Sequence, residues 1–369
     1  MAPYKAEWQS LADRAAEPNP FYEPWAIIPA FEFLSQGVHP RVVTVWSEGP
    51  HRVLLGVFPI ARCFGYHRLP LSYLAMWRHM HCFLGTPIIE PGREPAVWRE
   101  FLEWIARKGA LFEIGTVGAD GPVFAGLRTT LPQLGRPFET VESHARPLLA
   151  PRCAASEYLG RALRAKRRRQ FDKKREILER DGPVHFEVAD DVQTLALWSS
   201  DFIALEGQGW KGRGKTALRG RANEEAFFHA VIQGGGANEK VRAYRLVRGG
   251  KPLAMRFDLL SGGAAFALKI AYDEAYARCS PGALLEIEIL HRFFSQPDLR
   301  FIDSCTIPSP HSIHGYFWSE TRVISSVAVA GRSFFGRGIV SLAPRLRRIR
   351  SGRSDLAPAG PTSDAPAVS

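Results

Sequence analysis

Ala264-Ala265-Phe266-Ala267-Leu268-Lys269-Ile270-Ala271 leads through Tyr272-Asp273-Glu274 and a short linker into Ser280-Pro281-Gly282-Ala283-Leu284-Leu285. The first stretch is an apolar run of strand length, broken by Lys269. The second reads as a helix entry, because Pro281 presets the backbone angle of a first helical turn and lacks the N–H that would be orphaned there. The helix is expected over Ala283–Phe294. Leu284, Ile287 and Leu290 fall on one stripe continued by Phe294, and Glu288 pairs with Arg292 at i,i+4. A strand feeding a helix start presents backbone N–H groups and a positive dipole end to an anion such as a cofactor diphosphate. Ser280 to Ala283 are the candidate residues, with Arg278 adding a charge-assisted contact. Gly282 leaves room for close approach, so an aspartate there is expected to block the anion and spare the fold.

Working outward, Val241–Val247 and Leu253–Leu260 read as strands joined by a Gly249-Gly250 hairpin turn, and Arg300–Asp303 reads as the strand after the helix. Upstream, Ser156 is expected to cap one long basic helix, Glu157–Arg180, ended by Asp181-Gly182-Pro183. A short strand, Val184–Val188, a helix, Asp191–Glu206, a glycine-rich basic loop, 207–220, and a helix over Glu224–Gln233 complete this half. Residues 1–150 have a different texture, rich in Pro, Trp and Phe. Strands are expected at Arg41–Trp46, Val53–Ile60 and Leu111–Ile114, and a helix at Pro95–Lys108. The order strand, strand, helix, strand implies half of an α/β layer fold.

The expected division is therefore 1–150, 151–330, a basic amphipathic segment at 331–350 and a disordered Pro/Ala/Ser/Gly-rich tail at 351–369. Residues 334–350 read either as a helix lying on a membrane surface or as a terminal helix packed on the domain, and Pro344 argues against one continuous helix. No apolar run reaches the roughly 18 residues of a span. The N-terminal residues lack the basic start and apolar core of an export signal, so the cytoplasm is the expected location, with peripheral contact at the inner membrane through 334–350. Five scattered cysteines read as free thiols. His79-Met80-His81-Cys82 has no second ligand pair at a recognisable spacing, so no metal is expected. The net charge of +11 implies attraction to anions.

Gly209-Trp210-Lys211-Gly212-Arg213-Gly214-Lys215-Thr216 fits the phosphate-loop pattern, and Gly207, Gly209 and Gly212 fit a dinucleotide pattern. Both motifs need a strand feeding the loop, and the preceding residues read as helix. A basic loop over a site, with Lys211 and Arg213 as candidate donor contacts, and a surface loop with no role are the two better readings. The cations of 166–175 read first as a solvated helix face and second as an anion contact, since Asp172, Glu176 and Glu179 dilute them.

Residues 271–285 resemble the signature YDExyAxxSPGxLL of the CelD-type acetyltransferase-like family within the GNAT superfamily. Lys166–Gly182 resembles the basic helix shared with Fem-type aminoacyl transferases. Gly209-Trp210-Lys211-Gly212 with Thr216-Ala217-Leu218 resembles the family's GWKG…GTAL segment, with Lys215 where the family has Gly. Gly250, Pro252 and Ala254 resemble its dGkpiA stretch, and Asp303 its strand-ending acid. The resemblance covers about residues 155–320. It implies an α/β (α+β) fold of two tandem GNAT-like halves, each a mixed, largely antiparallel sheet flanked by helices, the first half degenerate. It implies an acyltransferase using acyl-CoA (acetyl-CoA) without a metal, and a small-molecule or polysaccharide-related acceptor. An aminoacyl-tRNA-dependent transferase and an inactive accessory module of polysaccharide synthesis stand as alternatives. In the implied reaction, backbone N–H groups near Ile270 and Ala271 stabilise the oxyanion. Asp303, Glu206 or His311 takes the acceptor proton, Tyr316 protonates the leaving thiolate, and Lys269 either faces the cleft or snorkels to an edge.

Overall fold

The computed structural model describes residues 4–35, 37–66, 69–209, 217–295, 298–306, 312–332 and 336–341. The chain divides into two compact units. The first holds the residues up to Ile27, Ser35–Ala145 and the chain from Arg322; the second holds Ile28–Leu34 and Arg146–Thr321.

Two helices, α1 (Lys5–Asp13) and α2 (Pro24–Phe33), open the chain. The strands that follow are β1 (Arg41–Trp46), β2 (Leu54–Phe64), β3 (Ser72–Met76) and the short β4 (Ile88–Ile89). Helix α3 (Glu94–Ile105), β5 (Leu111–Gly118), α4 (Pro122–Gln133) and β6 (Phe138–Leu149) come next. In the first unit the strand order is β1-β2-β3-β5, continued by β12 (Glu320–Ala330) and then β6, with β4 on β2. Strand β3 runs parallel to β5, which requires a crossover, and α3 is that crossover. The side of α3 carrying Val97, Trp98, Phe101, Leu102 and Ile105 is buried.

The second unit begins with α5 (Ala155–Ala162) and α6 (Ala165–Leu178), then β7 (Val184–Ala189), α7 (Val192–Gln208) and α8 (Ala222–Gly236). Strands β8 (Val241–Arg248), β9 (Lys251–Ser261) and β10 (Ala264–Tyr272) form an antiparallel meander with β7. Gly249 and Gly250 both have positive φ, 55° and 77°, as the tight β8–β9 turn requires. Helix α9 (Pro281–Ser295) then carries the chain over to β11 (Phe301–Asp303), parallel to β10, and α10 (Ile313–Phe317) follows. The far edge of β11 is taken by Leu148 and Leu149, the last residues of β6. The architecture is thus mixed α/β, with largely antiparallel sheets flanked by helices.

Two local expectations are corrected. The basic helix is not continuous: Leu163 and Arg164 leave helical geometry (ψ 60° and 151°), and Arg167 Nη1 takes up the freed Ala162 carbonyl at 2.6 Å. Ser156 is not its cap, because the N-cap position is Ala154. Of the segment 334–350, the described part is a helix over 336–341 whose Ile339 and Val340 are buried with Tyr66, Leu111, Val141 and Ala330. These two side chains are packed on the first unit and are not available to a membrane. The tail 351–369 lies outside the described residues. Among the described residues no helix is long and apolar enough to cross a membrane.

The interior of the second unit holds a group of charges that the chain's apolar patterning hides. Arg256 on β9 is fully buried and bonds Asp258 through two nitrogens at 2.7 and 2.8 Å, and Glu286 on α9 at 2.8 Å. Burial works against the Arg256 charge, but Asp258 and Glu286 outweigh it and raise the guanidinium above its usual value. Burial also lifts both carboxyls above their usual range. His314 on α10 places Nε2 3.6 Å from Glu286 Oε2, and burial, with Arg256 adding to it, holds the imidazole well below its ordinary value.

His314 therefore refuses a proton that the unfolded chain accepts near pH ~6.5. Its contribution to stability is complete above that pH and is lost as the pH falls. We predict that below about pH 6.5 the wild type loses stability relative to His314→Gln, by at most about 1.4 kcal/mol per pH unit. The raised carboxyls act in the opposite sense and are common to both proteins. Urea midpoints of the pair across that range check it, and parallel curves would refute it.

Candidate functional site

Strand β10 is buried from Ala264 to Leu268 and then opens: Lys269, Ile270 and Tyr272 are all partly exposed. Two features cause the change. Pairing with β11 ends at Phe266–Asp303, while β10 continues to Tyr272. Pairing with β9 shifts register between Ala267 and Lys269, so that Leu268 is the extra residue of a bulge. A bulge interrupts the ladder and re-aims the side chains after it. The parallel strands thus part at a fork, just where the ladder of β10 is disturbed.

Lys269 meets Glu206 at this fork. Its Nζ lies 3.4 Å from Glu206 Oε1, and the two side chains are 13% and 1% exposed. Glu206 sits in the last turn of α7, which Asp191 caps by accepting the Thr194 N–H at 2.9 Å. Glu206 Oε2 accepts the Leu218 N–H at 2.8 Å, so the Ala217-Leu218 stretch returns to the end of α7 and is buried there. Glu274 reaches the same place, its Oε1 lying 3.0 Å from where a Cβ on Gly209 would stand. The Tyr272-Asp273-Glu274 and Gly209 segments, far apart in sequence, are neighbours here. What feeds Gly209 is a helix, α7, and no strand.

At the start of α9 the structure modifies the expected anion cradle. Pro281, Gly282 and Ala283 are buried, and the Ala283 and Leu284 N–H groups donate to the Ser280 carbonyl. The groups left to meet a ligand are the partly exposed Ser280, the exposed Arg278 and one residue that the sequence reading placed on a solvated face. That residue is Lys174 on α6, whose Nζ donates to Ser280 Oγ at 2.9 Å. Partial burial lowers the Lys174 pKa from its usual value. The spacing of Phe171, Lys174 and Leu178 on one side of α6 is the sequence signal that could have found it.

The other candidates fall elsewhere. Asp303 is fully buried and committed: Oδ2 pairs with Arg146 at 2.6 Å and Oδ1 accepts the Cys305 N–H at 2.9 Å. Both oxygens are thus engaged at the point where β11 ends. The Tyr316 ring lies under the Arg167 guanidinium, 3.8 Å away, and Arg167 also bonds the Tyr316 carbonyl. These contacts tie α10 to α6. Ile270 and Ala271 stand on β10 beyond its pairing with β11. His311, Lys211 and Arg213 lie outside the described residues.

The environment of Gly282 yields a test. A Cβ there would stand 3.6 Å from Tyr272, 3.8 Å from Ile313 and 3.9 Å from Ile270, which is ordinary contact. Gly282→Ala should stay within about 1 kcal/mol of wild type. Gly282→Asp would bury a carboxylate among these groups and should cost at least about 2 kcal/mol, in contrast to the expectation that it spares the fold. Chemical denaturation of both variants decides this, and a wild-type midpoint for the aspartate would overturn it.

Comparison with known proteins bears on the fold. Residues 165–311 match the family described as acetyltransferase (GNAT) domain. No curated protein sequence matches the chain. Among solved structures, FemX is similar with a TM-score of 0.58, at 10% identity, over 89% of this chain and 96% of that one. A conserved protein of unknown function from Bacteroides thetaiotaomicron is similar with a TM-score of 0.55, at 12% identity, over 89% of this chain and 97% of that one. The C-terminal domain of a protein assigned as a lysylphosphatidylglycerol synthetase, from Agrobacterium fabrum, has a TM-score of 0.55 at 10% identity, over 94% of this chain and 96% of that one. At these identities the likeness is one of fold. The segment that carries α6, Glu206 and the β10 fork thus has a GNAT-type acyltransferase fold.

Proposed function

We propose that the second unit transfers an acyl group from acyl-CoA to an amine or hydroxyl, and that the Glu206–Lys269 pair at the β10 fork is its working centre. The observation that carries this reading is that pair: a nearly buried carboxylate held beside a cation, where two parallel strands part and the ladder is bulged. In this reading the donor carbonyl lies along β10 near Ile270 and Ala271, whose backbone polarises it as negative charge develops on the oxygen. Glu206 takes the proton of the attacking acceptor, with Lys269 and the Leu218 N–H holding its carboxylate in place, and as the C–S bond breaks CoA leaves as the thiolate and takes up that proton. The donor diphosphate meets Lys174, Ser280 and Arg278. The resemblance of residues 271–285 to the CelD-type signature supports a small-molecule or polysaccharide-related acceptor.

The first unit repeats the succession of antiparallel strands, crossover helix and parallel strand, but its crossover helix starts differently. Glu94, in the first turn of α3, is buried, and its carboxylate accepts the Gly92 N–H at 3.1 Å. An acidic side chain already occupies the place where an anionic donor would bind. This supports assigning the activity to residues 151–330, with the first half a degenerate partner.

A second reading, an aminoacyl-tRNA donor, is favoured by one observation. Lys166, Arg168, Arg169 and Lys173 are exposed on the helix whose Lys174 touches Ser280. Binding that falls steeply with salt would select it.

Stabilisation against heat by acetyl-CoA or longer acyl-CoA thioesters is the direct test of the donor. With an acceptor in hand, Glu206→Gln should lower kcat at least about 100-fold and remove the acidic limb of the pH profile, leaving donor affinity within about threefold. Full turnover by that variant would sink the assignment of the base.

A further inference from the structure

One end of the first unit gathers features that acyl transfer does not use. Strands β2 and β3 meet in a hairpin whose tip exposes Phe64, 77% accessible, together with Leu69 and Pro70. Tyr66 in the same tip is buried against Ile339 and Val340 of the 336–341 helix, so tip and helix share one end of the unit. Arginines converge beside them. Ala330 N–H bonds the Pro137 carbonyl, which brings Arg136 and Arg332 together, and Arg337 stands on the helix. Arg136 Nε is buried with no hydrogen-bond partner among the described residues, and Arg332 and Arg337 are exposed. Burial and these two like charges lower the Arg136 pKa, with Glu103 the acid that opposes them. Sequence continues the theme: no Asp or Glu occurs from Thr321 to Ser354, a stretch that also carries Arg345, Arg347, Arg348, Arg350 and Arg353.

Like charges held together around an unpartnered donor need a counter-anion, and an exposed phenylalanine on a hairpin tip gains by leaving water. We propose that this end of the first unit is a docking face for an anionic lipid bilayer, with Phe64 and Leu69 entering the interface and Arg136, Arg332 and Arg337 meeting lipid phosphates. A bilayer surface supplies both halves of the match, a sheet of anions over an apolar layer. The contact differs from a membrane-surface helix at 334–350, because Ile339 and Val340 face inward and the apolar contribution comes from the hairpin. Glu206, Lys269 and the Lys174–Ser280 contact of the proposed function are other residues, so failure of this proposal and failure of the acyltransferase reading are independent.

The test is co-sedimentation of the full chain with vesicles of phosphatidylcholine alone and of phosphatidylcholine mixed with phosphatidylglycerol. Binding is expected only with the anionic lipid and only at low to moderate salt. Phe64→Ser with Leu69→Ser, and separately Arg332→Gln with Arg337→Gln, should each weaken it at least about tenfold. All four positions are exposed, so melting temperatures should match the wild type. Three results would overturn the proposal: no binding to anionic vesicles at low salt; wild-type binding by both double variants, with loss only on replacing the arginines of 345–350; or RNA displacing the vesicles and showing the same losses in the variants.

Discussion

A guanidinium that is completely removed from water must have its charge met at short range, and in the second unit Arg256 imposes that condition on everything around it. Its partners come from two elements: Asp258, two residues on along β9, and Glu286 on α9. The first partner is supplied by the strand's own alternation. The second is supplied only if α9 lies across the sheet with Glu286 above Arg256. Leaving the pair incomplete would strand a buried charge at a cost of about 3–5 kcal/mol, so the position of α9 is set as much by this contact as by its apolar stripe. One turn before Glu286 is Gly282, and just before that Ser280. Fixing Glu286 therefore fixes the helix start beside Tyr272 and Ile270 at the end of β10.

The fork follows from the same geometry. Strand β11 ends at Asp303, whose side chain pairs with Arg146 and accepts the Cys305 N–H, and at Cys305 the backbone turns to positive φ, 53°. A longer β11 would cover the partly exposed stretch of β10 from Lys269 to Tyr272. Two buried ion pairs, one on β9 and one closing β11, thus leave a gap between parallel strands in a sheet that is otherwise continuous along this unit. Their role is architectural, and the pair at the fork, Glu206 with Lys269, is the one on which the proposed function rests. Asp303, a candidate base in sequence, has both carboxylate oxygens engaged where β11 ends.

Glu94 in the first unit and Lys174 in the second show how alike topologies are given different electrostatics. Each unit places a helix start after an antiparallel strand and before a parallel one. In one case the start is met by a buried carboxylate, and in the other by a lysine brought from α6. Topology alone does not set the electrostatics of a helix start; the charge delivered to it does.

Much of this was legible in residue order. The Gly249-Gly250 hairpin, the strand into Ser280-Pro281-Gly282 and the stripe of α9 are local, written in spacing of two, in spacing of three to four and in the backbone freedom of particular residues. Arg256 and Asp258, two apart in an apolar strand, carried a readable hint of a shared face. The break at Leu163–Arg164 was not legible, because each residue there suits a helix and only the docking of Arg167 onto Tyr316 shows where the chain turns. Nor were the Leu218 N–H on Glu206, Lys174 on Ser280 or the seating of Ile339 and Val340 legible. By itself the sequence determined the elements and the chemistry available on them, because propensity and periodicity act over a few residues. Only the tertiary structure decided which charges are spent on holding the fold and which remain to meet a substrate, because that depends on partners scores of residues away and on how completely each pair is taken out of water.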